Sequence, residues 1–121
     1  PDLALVLIEF LKSEFSPIPL FVPPNSVIEQ LAIDHGLPIR REVFGDRSYE
    51  KDYRLSSRTF ENALFTKPEQ VIPHVRGIVE EGILKARTGE ELPVKAETLC
   101  FHGDNPGILD FLPLVRKKLW I

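Results

Sequence analysis

Residues 20–44, LFVPPNSVIEQLAIDHGLPIRREVF, decide the fold. Leu20–Val22 is a short apolar run stopped by two prolines, which predicts a buried strand. Asn25 or Ser26 then caps a helix through about Asp34, and Gly36 closes that helix in the left-handed conformation. A second strand over Ile39–Phe44 follows Pro38. Short apolar strands alternating with helices predict an α/β fold with a mostly parallel sheet, either a barrel or an open sheet.

The segments on either side continue this alternation. Before residues 20–44 we predict a helix over 2–15, ended by Ser16–Pro19. After them we predict a polar loop over Gly45–Arg58 and a helix that runs from the capping box at Thr66–Glu69 to Glu81. A hairpin over 83–94, a strand over Thr98–Phe101 and a helix from Asn105 complete the chain. Pro73 and Pro113 lie inside the last two long helices, where each costs about 3 kcal/mol in a straight segment. We therefore expect a kink or break at each.

Composition excludes several classes of protein. The net charge is −3 and the longest basic run is Arg116–Lys118, so a nucleic-acid-binding face is not expected. The longest apolar run, Leu3–Ile8, is too short to cross a membrane. Cys100 is the single cysteine, which excludes an internal disulfide and favours a reducing, cytoplasmic location. The chain begins at Pro1 and contains no methionine, so we expect a piece of a longer protein.

The loops that follow strands hold the chemistry in folds of this class. They are Pro23–Ser26, Gly45–Arg58 and His102–Pro106. Glu42, near the end of a strand, is a candidate general base or a partner for an arginine. Arg47 and Arg58 carry planar donor groups that suit a carboxylate or phosphate. The alternative is that both arginines only pair at the surface with Asp46, Glu50 or Asp52.

His102 and Asp104 form a second candidate pair. They could orient each other for acid–base chemistry, or supply two ligands of a metal site whose other ligands are not nearby in the sequence. Alternatively, Asp104 or Asn105 only caps the last helix and His102 contacts a backbone carbonyl. Gly103 and Gly107 are interpreted as positions of close backbone approach. His74 is interpreted as a surface residue, and Trp120 is expected to pack against the body of the protein or against a part that this chain lacks.

Three blocks in order resemble the signature of the LamB/YcsF family. They are Glu42–Tyr49 (EVFGDRSY), Leu55–Arg58 (LSSR) and Thr98–Asp104 (TLCFHGD), with a Thr-Gly-Glu hairpin between the last two. The resemblance covers residues 19–121 and, more weakly, the first helix. It implies the C-terminal half of a distorted (β/α) barrel, similar to TIM-like and polysaccharide-deacetylase-like barrels.

The resemblance also implies an activity. Family members act with partner subunits B and C to convert 5-oxoproline to L-glutamate, driven by hydrolysis of ATP, for which Mg²⁺ is expected but no tightly bound metal. Carried onto this sequence, Arg47, Arg58 and Tyr49 become candidates for binding substrate or phosphate. Glu42, His102 and Asp104 become candidates for proton transfer or for orienting water.

We expect residues 1–121 to form a single module that is inactive alone. Half a barrel leaves open strand edges, so the missing N-terminal half or another copy of the chain should cover it. Two other functions remain open. The chain could be a non-catalytic interaction module that scaffolds a partner subunit, or a metal-dependent deacetylase or carbohydrate hydrolase of the related barrel class.

Overall fold

The computed structural model describes residues 2–15 and 18–119 and confirms the predicted order of elements. The helices are α1 (Asp2–Glu14), α2 (Val27–Asp34), α3 (Pro68–Arg76) and α4 (Ile108–Leu119), with a π-helical turn over Gly77–Glu81. The strands are β1 (Leu20–Val22), β2 (Ile39–Phe44), β3 (Ile83–Lys85), β4 (Glu91–Pro93) and β5 (Thr98–Cys100). No helix in the described part of the chain is long and apolar enough to span a bilayer.

The β1–α2–β2 segment forms as its sequence predicts. β1 pairs in parallel with β2, with Leu20 opposite Ile39, and the sheet has the order β1-β2-β5. The Ser26 side chain accepts a hydrogen bond from the Glu29 N–H at 3.1 Å, which caps α2. Gly36 ends the turn after α2 with φ of +73°, a conformation that glycine adopts without steric cost.

The chain divides into two compact units. The first unit contains the described residues up to Val43 together with Ala96–Thr98. Its core forms where α1 packs on α2, around the buried side chains of Ile8, Ala32 and Leu37. Ile28, Leu31 and Ala32 face this core because residues three and four apart share one side of a helix.

The second unit contains Phe44–Lys95 and the described residues from Leu99 onward. Its core is the contact between α3 and α4, with Val71, Ile72 and Val75 from α3 against Phe111 and Val115 from α4. Burying each of these side chains contributes about 1.5–3 kcal/mol. β3 and β4 form the predicted antiparallel hairpin, with Leu84 opposite Leu92. Phe44, the last residue of β2, and the loop after β5 belong to this unit.

We predicted a kink or break at each internal proline, and no break occurs. α3 continues through Pro73 and α4 through Pro113. Proline has no backbone N–H, so the carbonyl four residues earlier receives no hydrogen bond from it. Those carbonyls belong to Glu69 and Leu109, which are exposed, so water can satisfy them. The helical geometry changes only at Gly77, where the π turn begins.

Two helix starts also differ from prediction. The side-chain cap of α3 is made by Gln70, whose Oε1 accepts the N–H groups of Thr66 and Lys67, and not by Thr66 and Glu69. α4 begins at Ile108 because the Asn105 side chain closes a turn ahead of it. The predicted stop at Ser16–Pro17 and the packing of Trp120 lie outside the described residues.

Candidate functional site

Asp46 organises the loops that follow β2 and β5. Its carboxylate is fully buried and accepts three hydrogen bonds. Oδ1 accepts from His102 Nδ1 at 2.8 Å. Oδ2 accepts from the His102 backbone N–H at 3.0 Å and from Asn105 Nδ2 at 3.1 Å. A buried charge is tolerated when it is fully hydrogen-bonded in this way.

Asn105 connects the same loop to the segment before α3. Its Nδ2 also donates to the Phe65 carbonyl at 2.8 Å, and its Oδ1 accepts the Gly107 N–H at 2.9 Å. Gly107 allows this approach, because a Cβ there would lie 1.8 Å from the Thr66 carbonyl oxygen. The predicted close approach is therefore confirmed at Gly107. It is wrong at Gly103, where a Cβ would meet nothing within 4 Å.

The contact with Asp46 determines which nitrogen of His102 is reactive. The carboxylate can only accept, so Nδ1 carries the hydrogen and Nε2 is the nitrogen able to exchange a proton with a substrate. The imidazole packs edge-on against Phe44, with ring centroids 4.9 Å apart. Its side chain keeps 27% of its surface exposed. His102 is thus oriented by a buried acid while remaining accessible.

The predicted pairing of His102 with Asp104 is wrong. His102 is oriented by Asp46, whereas Asp104 is exposed. The signal for Asp46 was its position two residues after the predicted strand that ends at Phe44. The structure brings it to His102 across 56 positions of sequence.

Arg47 faces into its own loop. It is 6% exposed, and its Nε and one terminal nitrogen donate to the carbonyls of Ala63 and Ser56, at 3.2 and 3.0 Å. Burial, followed by the nearby positive charge of Arg58, lowers the pKa of the Arg47 guanidinium. Arg58 itself is exposed. The two arginines predicted to bind a carboxylate or phosphate therefore lie in different environments.

The other predicted residues are divided between the units. Tyr49 is 4% exposed, and its hydroxyl oxygen accepts the Phe44 N–H at 2.9 Å. This contact fixes the end of β2 beside Asp46. Glu42 is a half-buried residue of β2 within the first unit.

His74 is not the surface residue that the sequence suggested. Its Nε2 lies 3.1 Å from the Phe44 carbonyl oxygen, and its ring contacts the rings of Tyr49 and Phe65. Burial lowers its pKa, so the neutral ring with the hydrogen on Nε2 is favoured. The available signal was helical spacing, since His74 follows the buried Val71 by three positions and precedes the buried Ile78 by four.

Surface pairing involves other arginines than those expected. Glu50 accepts two hydrogen bonds from Arg87, at 2.8 and 2.9 Å, and a short one from the Ser56 hydroxyl. The Arg87 hydrogen bonds, and then that of Ser56, lower the pKa of Glu50 to about 2. Arg87 also lies over the Phe60 ring, 3.8 Å from its centroid. Asp52 pairs with Arg54.

Comparison with known proteins identifies the relatives of this chain. The sequence model of the LamB/YcsF family matches residues 1–120. The chain is 43% identical over 100 residues to the 5-oxoprolinase A subunit of Symbiobacterium thermophilum, covering 83% of this chain and 38% of that protein. It is 33% identical over 118 residues to the 5-oxoprolinase A subunit of Coprothermobacter proteolyticus, covering 98% of this chain and 45% of that protein.

A solved structure agrees with these sequence matches. The crystal structure of the lactam utilization protein from Thermus thermophilus superposes with a TM-score of 0.81 at 29% identity, over 94% of this chain and 46% of that one. The predicted fold class is thereby confirmed. The chain spans less than half the length of these relatives.

Proposed function

Because this chain belongs to the LamB/YcsF family, we propose that it forms part of the A subunit of an ATP-dependent 5-oxoprolinase. This enzyme opens the lactam ring of 5-oxoproline to give L-glutamate. The observation that carries the proposal is the Asp46–His102 pair, an accessible imidazole oriented by a buried carboxylate. Relatives named as the 5-oxoprolinase A subunit support the choice of reaction.

The pair suits the proton transfers that ring opening requires. Water adds to the lactam carbonyl carbon, the ring C–N bond breaks, and the ring nitrogen gains a proton to become the amine of glutamate. His102 Nε2 would take the proton from water and return it to the nitrogen. Asp46 would hold the ring with Nδ1–H directed inward, which stabilises the imidazolium formed in between. An unstrained amide is unreactive, and in the assembled enzyme ATP would supply the energy that activates the lactam.

The other candidate residues take different roles in this proposal. Arg58, which is exposed, is the remaining candidate for a phosphate or a substrate carboxylate. Glu42 and Asp104 stay candidates for proton transfer. Arg47 and Tyr49 are positioning residues, because their polar groups hold the backbone around Asp46.

The described residues form no cluster that could hold a metal ion by protein ligands alone. Among residues 2–15 and 18–119, no three His, Cys, Asp or Glu side chains are grouped to hold a metal ion. Both oxygens of Asp46 already accept hydrogen bonds from nitrogen donors. We therefore assign ATP and its Mg²⁺ to the assembled enzyme and derive no step through them here.

The proposal includes partners and a location. Subunits B and C would complete the enzyme, and the rest of the family fold, or another copy of this chain, would cover the open edges. A cytoplasmic location agrees with a sequence that contains one cysteine and therefore no internal disulfide.

A second candidate function is a non-catalytic module that scaffolds a partner subunit. Exposed apolar side chains favour it. On α1, Leu3 is 83% and Val6 63% exposed, and on α4 Leu109 is 87% exposed. Patches of this kind mark interaction surfaces.

The test is glutamate formation from 5-oxoproline and ATP by the complete A subunit together with subunits B and C. Replacing His102 with Ala should lower turnover at least ~10-fold, and Asp104→Ala should reveal whether that exposed carboxylate contributes. His35→Ala, which removes a histidine at the end of α2, is the matched control. Absence of activity in the complete wild-type assembly would refute the proposal. Full activity of His102→Ala would favour the scaffold function.

A further inference from the structure

The Phe44 ring forms a wall of the Asp46–His102 pair. Its centroid lies 4.9 Å from that of the His102 imidazole, and the two ring planes are perpendicular, at 89°. Asp46 binds the imidazole ring at one atom, Nδ1. A single hydrogen bond fixes the position of that atom and leaves the plane of the ring able to tilt, so packing must supply a second restraint. The Phe44 ring supplies it, and its own position therefore decides where His102 Nε2 points.

The backbone of Phe44 is held by two side chains. The ladder between β1 and β2 ends at Val22 and Arg41, three residues before Phe44. Beyond it, the Tyr49 hydroxyl oxygen accepts the Phe44 N–H at 2.9 Å, and His74 Nε2 lies 3.1 Å from the Phe44 carbonyl oxygen. A carbonyl oxygen can only accept, so His74 Nε2 carries the hydrogen and donates it. Helix α3 therefore holds the end of β2 through the His74 side chain.

The other half of the same peptide unit is bonded to β5. The Gly45 N–H, which shares a peptide plane with the Phe44 carbonyl, donates to the Cys100 carbonyl at 2.8 Å. Because a peptide unit is planar, hydrogen bonds on both of its sides fix its rotation. Without His74, the hydrogen bond to Cys100 would remain as the restraint on this unit. The peptide could then rotate and carry the Phe44 ring with it.

His74 is itself held in place and is separate from the hydrogen bonds of the site. Its ring contacts the rings of Tyr49 and Phe65, with centroids 6.3 and 5.1 Å apart. None of the hydrogen bonds that Asp46 accepts within the described residues comes from His74. Burial lowers the pKa of His74, so its ring is uncharged at neutral pH. An influence of His74 on the imidazole beside Asp46 therefore passes through Phe44.

We propose that His74 is a positioning residue for His102, which holds the Phe44 ring against the imidazole and thereby sets the direction of Nε2. The consequence for turnover rests on the proposed function, whereas the consequence for the orientation of the imidazole does not. The two consequences are therefore measured separately.

The orientation of the imidazole is tested by NMR on the full chain. His74→Phe keeps an aromatic ring and loses the donor, whereas His74→Gln keeps a donor. Nuclear Overhauser effects between the ring protons of Phe44 and His102 should weaken in His74→Phe and be retained in His74→Gln. Val75→Ala, which removes buried packing from the same helix, should lower the urea midpoint and leave these effects at wild-type intensity. Wild-type intensity in His74→Phe, or an equal loss in Val75→Ala, would overturn the proposal.

Turnover is tested in the complete A subunit together with subunits B and C. His74→Phe should lower kcat about 2–10-fold, the rate equivalent of one ordinary hydrogen bond, and change KM less than ~2-fold. Phe44→Leu keeps the backbone groups and removes the ring, so adding His74→Phe to it should lower kcat by less than ~2-fold further. Effects of the two variants that multiply would overturn the proposal. An inactive wild-type assembly would refute the proposed function, and the NMR comparison would still decide the role of His74.

Discussion

Replacing Asp46 with Asn tests the central geometry with little change of shape. The carboxylate accepts at both oxygens, whereas an amide accepts at one and donates at the other. Two of the three hydrogen bonds end on Oδ2, from the His102 backbone and from Asn105. The amide oxygen should take that position, which leaves the NH₂ facing His102 Nδ1.

This placement forces a change in His102. Nδ1 must become an acceptor, so the ring hydrogen moves to Nε2, and the nitrogen that should accept a proton is blocked. All three hydrogen bonds are kept, but none of them now involves a charged acceptor, and we expect this to cost about 1.5–3 kcal/mol in total. Asp46→Ala removes all three hydrogen bonds and leaves a cavity, so it should cost more than Asp46→Asn.

Two measurements check the prediction. Imidazole ¹⁵N shifts recorded at pH 8 should report Nδ1–H in the wild type and Nε2–H in Asp46→Asn. Urea unfolding should give the loss of stability. An unchanged tautomer in Asp46→Asn, or a change in unfolding free energy below ~0.5 kcal/mol, would refute the assigned hydrogen bonds.

Three further predictions concern stability. Gly107→Ala should lower the free energy of unfolding by about 1–3 kcal/mol or more, because its Cβ would meet the backbone at Thr66, while Gly103→Ala changes it by less than ~0.5 kcal/mol. The pKa of Glu50 is lowered to about 2. Its contribution to the free energy of unfolding is therefore present above the unfolded pKa of about 4.5 and is lost as pH falls toward 2. Glu50→Gln should flatten that part of an acid-unfolding curve. His74 has a lowered pKa, so its burial destabilises the fold as pH falls below about 6.5, and His74→Gln should remove this slope from urea midpoints measured against pH.

Each of these has a contrary outcome. Equal stability of the two alanine variants would contradict the close approach at Gly107. A Glu50→Gln curve that overlays the wild type between pH 4.5 and 2 would contradict the Arg87 pair. A slope retained below pH 6.5 in His74→Gln would assign it to another group.

The elements were predictable where their signals are local. The bounds of β1 and β2, the Ser26 cap and the Gly36 turn match the prediction, because prolines, a capping hydroxyl and a glycine act on their immediate neighbours. The prolines inside α3 and α4 were misjudged. Whether such a residue breaks a helix depends on exposure of the carbonyl it leaves unpaired, which is a property of packing.

The site was predictable in position but not in pairing. The rule that loops after strands hold the chemistry selected His102 and the segment containing Asp46. Choosing between Asp46 and Asp104 as the partner of His102 requires knowledge of how two distant loops meet. Arg47 was missed as an interior residue for a related reason. A loop without regular structure leaves carbonyls that need donors, and its own guanidinium supplies two of them.

The interior position of Arg47 bears on how the loop responds to proteases. Lys51, Arg54 and Arg58 are exposed and offer trypsin three cleavage positions in a segment with neither helix nor extended strand. Cleavage requires several residues to detach and enter the protease as an extended strand. Around Arg58, that detachment would pull the Ser56 and Ala63 carbonyls away from the Arg47 guanidinium. The Arg47 cation would then lose both of its acceptors. Cleavage after Arg58 should therefore be slow even though the arginine itself is exposed.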